Sequence, residues 1–230
     1  MSLSAEDISY TWSFRGGEST AIRSFSGQFA AGVPHLICGP SGSGKSTLGY
    51  LLSGLLSTES GRVTFNGEEA THQREEIALV FQFPEDIFFE DTLEEELKQL
   101  SSPQRTLDMS CFDALGIPFE TIAQRHPFHL SAGYGRLVAT AMQLARNPRL
   151  LILDEPTIGL DWIFQRRMLD VLRNWITPQR TLVIITHDLD VLRELDGEAW
   201  VLNQGMLAWN GATSDLLASR ELLEAYALAV

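Results

Sequence analysis

The segment Gly39 to Thr47, GPSGSGKST, restricts what this chain can fold into more than any other stretch. It matches the pattern G-x-x-x-x-G-K-[ST], in which a glycine-rich turn lies between a buried strand and a helix. Both flanks agree with that context. The residues Leu36-Ile37-Cys38 are typical of a buried strand, and Leu48 to Leu52 has the apolar spacing of a helix that begins near Lys45. The sequence therefore predicts a strand, a phosphate-binding loop and a helix, in this order.

The residue types of this loop are those that phosphate binding needs. Glycines let the backbone turn so that successive N–H groups face phosphate oxygens, and the start of the following helix adds positive potential. Lys45 is expected to contact the β- and γ-phosphates, and the Ser46 hydroxyl is expected to ligate Mg²⁺. The predicted nucleotide-binding residues of the loop are Gly39, Pro40, Ser41, Gly42, Ser43, Gly44, Lys45, Ser46 and Thr47.

Composition limits the class of protein. A chain of 230 residues is one domain, or one domain with an inserted subdomain. The formal net charge of −13 argues against DNA or RNA as a principal partner, because nucleic-acid binders carry a basic face. We find no apolar run of about 20 residues and no secretion signal at the N-terminus. The two cysteines, Cys38 and Cys111, have no disulfide or metal spacing, which fits a reducing, cytosolic compartment.

The first thirty residues predict an antiparallel hairpin. Ile8, Tyr10 and Trp12 alternate with polar residues, which indicates a half-buried strand, and Ala21 to Phe29 is typical of the returning strand. Trp12 lies at the end of the hairpin, where its ring is able to stack on a nucleotide base. Packing of the ring in the core is the alternative.

The rest of the chain alternates strands with helices, which predicts a mostly parallel sheet. An inserted helical subdomain is expected where strand patterns are absent, and within it we expect Glu94, Glu95 and Glu96 to point largely outward. We expect one domain over residues 1–230, with a nucleotide-binding core and β subdomain in 1–84 and 148–230 and the helical subdomain in 85–147. The predicted later elements are a helix from Leu130 to Asn147, a strand at Leu150–Leu153, a helix at Trp162–Trp175, a strand at Thr181–Ile185, a hairpin at Ala199–Asn210 and a closing helix at Ser214–Leu228.

Polar side chains follow three of the predicted strands: Gln82, the pair Asp154-Glu155, and His187. In an open parallel sheet the ligand lies beyond the carboxyl ends of the strands, so we expect these residues to meet the phosphate loop. Asp154 would lie near the Mg²⁺ shell, and Glu155 would polarise an attacking water as general base. Gln82 would hold that water or the metal, and His187 would donate a hydrogen bond to the γ-phosphate.

The ordered set of motifs resembles the ATP-binding cassette (ABC) ATPases over nearly the whole chain. The motifs are GPSGSGKST, Gln82 in VFQFPED, LSAGY at Leu130–Tyr134, LLILDEPTIGLD at Leu150–Asp161, and ITHD at Ile185–Asp188. The resemblance implies an α/β fold of the P-loop NTPase class: a RecA-like, mostly parallel sheet with an N-terminal antiparallel β subdomain and an inserted α-helical subdomain. It also implies ATP and Mg²⁺ as ligands.

The resemblance assigns roles to single residues. Lys45, Ser46 and Thr47 look like the Walker A contacts, Gln82 like the Q-loop residue and Asp154 like the Walker B aspartate. Glu155 looks like the catalytic glutamate, Asp161 like the D-loop aspartate and His187 like the switch histidine. Trp12 aligns with the aromatic residue that stacks on adenine, with Tyr10 as the alternative. Ser46, Gln82 and Asp154 are the implied metal ligands.

One motif departs from the family pattern. The family's LSGGQ, which binds the γ-phosphate of ATP held by the opposite subunit, is here Leu130-Ser131-Ala132-Gly133-Tyr134. Ser131 and Gly133 are retained, while Ala132 replaces a glycine and Tyr134 replaces glutamine. Because the other site residues are complete, we expect a weakened but working site rather than an inactive one.

The resemblance also implies partners. One Walker A and one LSAGY per chain require two chains, identical or related, that close head-to-tail around two ATP molecules. The stretch Val80 to Leu97 is similar to the ATPases of energy-coupling-factor importers, which take up vitamins or divalent transition metals. This similarity implies an integral membrane partner, a cytoplasmic position at the inner face of the membrane, and no nucleic acid. The acidic residues expected to face that partner are Glu85, Asp86, Asp91 and Glu94.

Two other functions remain open from the sequence. A soluble ABC-type assembly ATPase would act on a protein client without any membrane partner. A nucleotide-binding regulator would have lost hydrolysis through Ala132 and Tyr134. A DNA-repair ATPase of this family is disfavoured, because no long coiled-coil heptads interrupt the chain.

Overall fold

The computed structural model describes residues 2–73, 75–83, 87–101 and 106–228. The chain forms two compact units. Unit 1 comprises Met1–Leu79, Arg149–Asp154 and Ile176–Val230, and unit 2 comprises Val80–Pro148 and Glu155–Trp175. The predicted boundaries, with the helical part in 85–147, stay a prediction. The two units differ from them in that Glu155–Trp175 groups with the helical part.

Unit 1 contains a four-stranded antiparallel sheet in the order β2-β1-β4-β5. Its strands are β1 (Ser2–Phe14), β2 (Gly17–Ala30), β4 (Ser60–Phe65) and β5 (Glu68–Glu69). The first two form the predicted hairpin. Its turn contains Gly16 with a φ of 117°, which favours glycine because other residues rarely adopt it.

A second sheet has the strand order β10-β9-β3-β8-β7-β6. Its strands are β3 (Pro34–Cys38), β6 (Ile77–Val80), β7 (Leu150–Asp154), β8 (Thr181–Ile185), β9 (Glu198–Asn203) and β10 (Met206–Ala212). Strands β7, β8, β3 and β9 pair in parallel, and β10 returns antiparallel to β9. The buried faces explain the sequence of β3, β7 and β8, in which every residue is buried.

Each unit also contains α-helices. Unit 1 has α1 (Lys45–Leu52), α7 (Leu189–Leu195), α8 (Thr213–Ala218) and α9 (Arg220–Ala225). Unit 2 has α2 (Leu93–Leu100), α3 (Ser110–Leu115), α4 (Phe119–Ile122), α5 (Ala132–Ala145) and α6 (Trp162–Trp175). The predicted single closing helix is wrong. Ser219 breaks it, because its Oγ accepts the N–H of Leu222 at 3.2 Å and so starts a new helix.

The core of unit 1 contains a buried histidine among aromatic rings. His35 on β3 is 1% exposed and lies 5.2 Å from the ring of Phe29. The indole N–H of Trp200 donates to its Nδ1 at 3.2 Å, so Nδ1 is the acceptor and Nε2 donates to the Ala30 carbonyl at 2.9 Å. Burial lowers the pKa of His35, and the carboxylate of Glu198, 3.2 Å from Nδ1, opposes that shift.

Both cysteines are free thiols in sheltered positions. Cys38 is fully buried at the end of β3, as its apolar context predicts, and burial raises the pKa of its thiol to about 12. The Cys111 thiol in α3 lies 3.1 Å from the carbonyl oxygens of Asp108 and Ala141. Burial raises its pKa to about 12 as well, and the carboxylate of Asp108 adds to the shift.

The expectation that the three glutamates at the start of α2 all point outward is wrong for one of them. Glu96 does not point outward but is 5% exposed, and its Oε1 accepts the backbone N–H groups of Phe89 and Glu90, the latter at 2.6 Å. A carboxylate so bonded satisfies two donors of the preceding loop, which compensates for its burial. Glu94 and Glu95 are more accessible, and Glu94 pairs with Lys98 at 3.0 Å.

Candidate nucleotide site

Two glycines of the phosphate loop, Gly39 and Gly44, lie where a side chain would clash with neighbouring backbone. Gly39 has a φ of 139° and Gly44 a φ of 102°, both in the left-handed region. A Cβ at Gly39 would lie 2.0 Å from the Leu202 carbonyl oxygen, and one at Gly44 would lie 2.3 Å from that of Ala21. The loop is therefore held directly against the backbones of β9 and β2, where any side chain would force it outward.

The loop leaves an open face on its other side. A Cβ at Gly42 would meet no atom within 4 Å, although its φ of 76° also favours glycine. Helix α1 begins at Lys45 without a side-chain cap, so its first N–H groups point out of the helix end without intrahelical acceptors. The Lys45 ammonium donates to the carbonyls of Gly39 and Pro40 at 2.8 and 2.9 Å, which holds it over the loop. This arrangement fits an anion of phosphate size.

The hairpin aromatic predicted to meet the base does contact this loop. The Trp12 indole N–H donates to Thr47 Oγ1 at 3.1 Å, and Trp12 is 40% exposed. The alternative residue, Tyr10, packs edge-on against Trp12 with ring centroids 5.0 Å apart. Trp12 is thus anchored beside Thr47 of the phosphate loop and remains partly exposed, whereas Tyr10 contacts Trp12. The geometry favours Trp12 over Tyr10 as the stacking residue.

The parallel register aligns three strand ends at one edge of the sheet. Asp154, the last residue of β7, pairs with Ile185 of β8, and Ile185 pairs with Ile37 of β3. The phosphate loop, Thr186-His187 and Asp154 therefore leave the sheet at the same edge. The Thr186 N–H donates to the Ile37 carbonyl at 3.0 Å, which fixes the start of the segment that carries the exposed His187.

The residues at this edge fit a magnesium ion. Ser46 is the second residue of α1 and is half-buried, and Asp154 is 1% exposed. A hydroxyl and a carboxylate are the hard oxygen donors that Mg²⁺ takes in nucleotide sites. The third implied ligand, Gln82, belongs to unit 2.

Glu155, the predicted general base, has an unusual backbone. It follows Asp154 directly, is 6% exposed and has a φ of 52°. A left-handed conformation at a residue with a side chain costs about 1–2 kcal/mol and occurs mostly where surrounding contacts impose it. The next residues turn tightly, because the Ile158 and Leu160 N–H groups donate to the carbonyls of Glu155 and Thr157. The residue expected to act as general base is thus one of the non-glycine residues of the described chain that have a left-handed backbone.

The LSAGY segment forms the start of α5. Ser131 is the N-cap, and its exposed Oγ accepts the N–H of Tyr134 at 3.3 Å. Ala132 is exposed in ordinary helical geometry, so the methyl group that replaces hydrogen there meets no conformational penalty. Gly133 is different: a Cβ would lie 2.2 Å from the Gly159 carbonyl oxygen. The structure thus explains why one glycine of the motif is replaceable and the other is not.

Tyr134 lies against α6 rather than in open solvent. Its ring is edge-on to Phe164 with centroids 6.2 Å apart, and it is half-buried. Burial raises the pKa of its hydroxyl, and the nearby Arg125 opposes that shift. Tyr134, Arg125, His129 and Ser131 line one cavity of about 400 Å³.

Asp161, the predicted D-loop residue, accepts hydrogen bonds from the first turn of α6. The Oδ1 atom of Asp161 accepts a hydrogen bond from the N–H of Phe164 at 3.0 Å, and the backbone carbonyl of Asp161 accepts one from the N–H of Gln165 at 2.9 Å. Asp161 is therefore the N-cap of α6 and remains exposed. Of the acidic residues expected to face a partner, Asp91 is exposed and Glu94 is paired, while Glu85 and Asp86 lie outside the described residues.

One buried arginine was not predicted. Arg136 of α5 is 4% exposed, and its guanidinium donates to the backbone carbonyls of Gln82 and Ile158, all within unit 2. The sequence indicated an unusual position, because Arg136 is the only charged residue in the mostly apolar α5. A charged residue in such a position has to find acceptors.

These observations define a phosphate loop at the edge of a parallel sheet, with polar residues at neighbouring strand ends. A family model described as ABC transporter matches residues 22–158, which is more than half of the chain. The chain belongs to the ABC transporter family and is an ATPase of the ATP-binding cassette class. The predicted fold class is confirmed.

Two similar proteins are both ATP-binding proteins of energy-coupling factor transporters. The energy-coupling factor transporter ATP-binding protein EcfA2 of Symbiobacterium thermophilum is 36% identical over 208 residues, which covers 84% of this chain and 72% of that protein. EcfA2 of Thermotoga maritima is 32% identical over 208 residues, covering 87% of this chain and 78% of that protein. The predicted similarity to energy-coupling-factor ATPases is confirmed.

Two solved structures of ATP-binding cassettes have the same fold as this chain. CbiO1 from Clostridium perfringens, described as part of the ABC transporter complex cbiONQ, has a TM-score of 0.74 at 26% identity, covering 99% of this chain and 95% of that one. A dimeric ATP-binding cassette in a post-hydrolysis state with ADP and Pi has a TM-score of 0.81 at 24% identity, covering 92% and 98%. Among the helices that the structure describes, none has the length and hydropathy to cross a bilayer.

Proposed function

We propose that this chain is the ATP-hydrolysing subunit of a membrane importer of the energy-coupling-factor type. It would act as a cytoplasmic subunit bound peripherally at the inner face of the membrane. The observation that carries the proposal is the joint presence of the phosphate loop, the Asp154-Glu155 pair and the capped α5 start in a chain that is up to 36% identical to EcfA2 proteins. Vitamins or divalent transition metals are the proposed cargo, selected by other subunits.

The proposed mechanism divides roles among the residues of the site. The open loop around Gly42 and the start of α1 bind the triphosphate, while Trp12 stacks on the adenine. Ser46 and Asp154 would hold Mg²⁺, which supplies neutralising charge to the β- and γ-phosphates. Glu155 takes the proton from the attacking water, oriented by Gln82, and His187 donates to the γ-phosphate.

Two chains are proposed to act together. Ser131 is exposed at the start of a 14-residue helix, which supports its proposed contact with a partner's nucleotide. ATP then favours the closed dimer because it contacts both protomers there, and hydrolysis removes that differential affinity. The partner is a second copy or a related ATPase subunit.

The replacement of Glu155 by glutamine tests the catalytic assignment. Glu155→Gln keeps the size of the side chain but removes the base, so we expect ATP turnover to fall by about 10²–10⁴-fold with ATP binding unchanged. Size-exclusion chromatography with ATP is expected to show a stable dimer. Glu120→Gln, which neutralises an exposed carboxylate of α4, is the matched control. A Glu155→Gln protein that hydrolyses ATP at the wild-type rate contradicts the assignment.

Affinity capture from detergent extracts tests the membrane role. Recovery of an integral membrane protein with the tagged chain supports the importer, and a soluble scaffold protein as sole partner supports the assembly ATPase instead. A steady-state assay of the wild-type dimer separates both from a regulator, which would bind ATP without hydrolysing it.

A further inference from the structure

The guanidinium of Arg136 joins two loops of unit 2 that carry predicted site residues. One nitrogen donates to the carbonyl of Gln82 and the other to the carbonyl of Ile158. Gln82 is the second residue after β6, and Ile158 lies between Glu155 and Asp161. A single side chain on α5 is therefore bonded to the backbones of both loops.

Burial makes these two bonds necessary rather than incidental. Arg136 is 4% exposed, and a buried guanidinium that loses its acceptors is strongly destabilised. Its two acceptors lie 54 and 22 positions away in sequence, so they are brought to Arg136 only by the folded unit. The planar fork of arginine can hold two separate carbonyls at once, which the single ammonium of lysine cannot do with the same geometry.

The same region is packed backbone against backbone. Gly159 follows Ile158, has a φ of 77°, and a Cβ there would lie 3.6 Å from Arg136 Nη1 and 3.8 Å from Gly133 Cα. The start of α5, with Ser131 as its cap, thus rests directly on the segment between Glu155 and Asp161. Little space is left for either part to move alone.

From this geometry we propose that Arg136 is a positioning residue for ATP hydrolysis. It fixes Gln82 and the Glu155–Asp161 loop to α5, the helix that begins at Ser131. Gln82 and Glu155, which act on the nucleotide bound by the same protomer, therefore move together with Ser131, which contacts the nucleotide bound by the partner protomer. This inference rests on the proposed roles of Gln82 and Glu155. It predicts that Arg136 affects the catalytic step and leaves ATP affinity unchanged.

A double-mutant cycle tests the proposal through the kcat of ATP hydrolysis. We expect Arg136→Gln to lower kcat by about 10–100-fold with KM for ATP within about threefold of wild type, because displaced groups lose rate and not binding. Arg136→Lys is expected to recover part of that loss. In a Gln82→Ala background, Arg136→Gln is expected to lower kcat by a smaller factor than in the wild-type background, since one of the two groups that it positions is gone while the bond to the Ile158 carbonyl still matters.

Arg146→Gln, at the other end of α5, where the arginine bonds to Gln143, is the matched control and is expected to keep wild-type kinetics. Wild-type kcat in Arg136→Gln overturns the proposal, and so do independent, multiplicative effects of Arg136→Gln and Gln82→Ala. If Arg136→Gln does not fold, Arg136→Lys takes its place in the cycle with the same criteria. Failure of the proposed catalytic roles is seen separately, as wild-type turnover in Glu155→Gln, and failure of the importer function as the recovery of a soluble partner alone.

Discussion

The contact between Gly133 and Gly159 gives the sharpest prediction about the LSAGY segment. A methyl group at position 133 would lie 2.2 Å from the Gly159 carbonyl oxygen and 2.9 Å from its carbonyl carbon. Since carbon and oxygen atoms pack at about 3.5 Å, the start of α5 or the Gly159 backbone must shift by about 1 Å. Neither neighbour is a flexible side chain, so the strain cannot be relieved cheaply.

The cost follows from that displacement. Overpacking of this kind destabilises by about 1–3 kcal/mol, and a shift of about 1 Å in a catalytic group costs up to about 10²-fold in rate. We therefore expect Gly133→Ala to lower kcat by about 10–100-fold. Ala132→Gly is the matched control, because it exchanges one methyl group in the same turn. Position 132 is exposed, so kcat is expected to stay within about threefold and stability to fall by at most about 1 kcal/mol.

Steady-state ATP hydrolysis and thermal unfolding measure both effects. Each kcal/mol lost is expected to lower the melting temperature by about 2–4 °C in a chain of this size. Binding of a fluorescent ATP analogue to the monomer is expected to be unchanged in both variants, since no residue of the phosphate loop is altered. The reasoning fails if Gly133→Ala keeps the wild-type kcat and melting temperature, or if Ala132→Gly is equally damaging.

Two further predictions concern unit 1. Trp12→Ala is expected to weaken ATP binding about 5–100-fold, because ring stacking on a base contributes about 1–3 kcal/mol. Trp12→Phe, which keeps a ring but loses the bond to Thr47, is expected to lose less, and titration calorimetry with unchanged affinity in both variants would contradict the stacking role. Burial lowers the pKa of His35 below its unfolded value near 6.5, so the unfolded chain binds the extra proton first and stability falls as pH drops below about 6.5. Urea unfolding between pH 7 and 5 is expected to show a shallower fall in His35→Gln than in wild type, and equal slopes would refute the assignment.

Local patterns were sufficient where an element carries its own signal. The phosphate loop was predicted because glycine spacing and an apolar strand flank it, and α6 was predicted from Trp162 to Trp175 with both ends correct. The strands β7 and β8 have fully buried, apolar sequences, so their positions and the residues that follow them could be assigned. Predicting the edge of the sheet where a ligand binds needed only the rule that parallel strands end together.

What the sequence did not indicate depends on partners distant in the chain. Glu96 looks like one more exposed acid of α2, and only the folded loop at Phe89 and Glu90 provides the N–H groups that bury it. The break at Ser219 depends on a hydrogen bond that competes with a continuous helical pattern. Arg136 could be suspected from its apolar surroundings, but its two carbonyl acceptors could not be identified from spacing.

The sheltered thiols of Cys38 and Cys111 have a practical consequence for following the motions of this protein. Maleimides react with thiolates, and a thiol whose pKa is about 12 is almost wholly protonated in any neutral buffer. An introduced surface cysteine is therefore expected to react with a maleimide faster than the buried Cys38 and the half-buried Cys111. Pairs of such labels would report how distances change during nucleotide turnover.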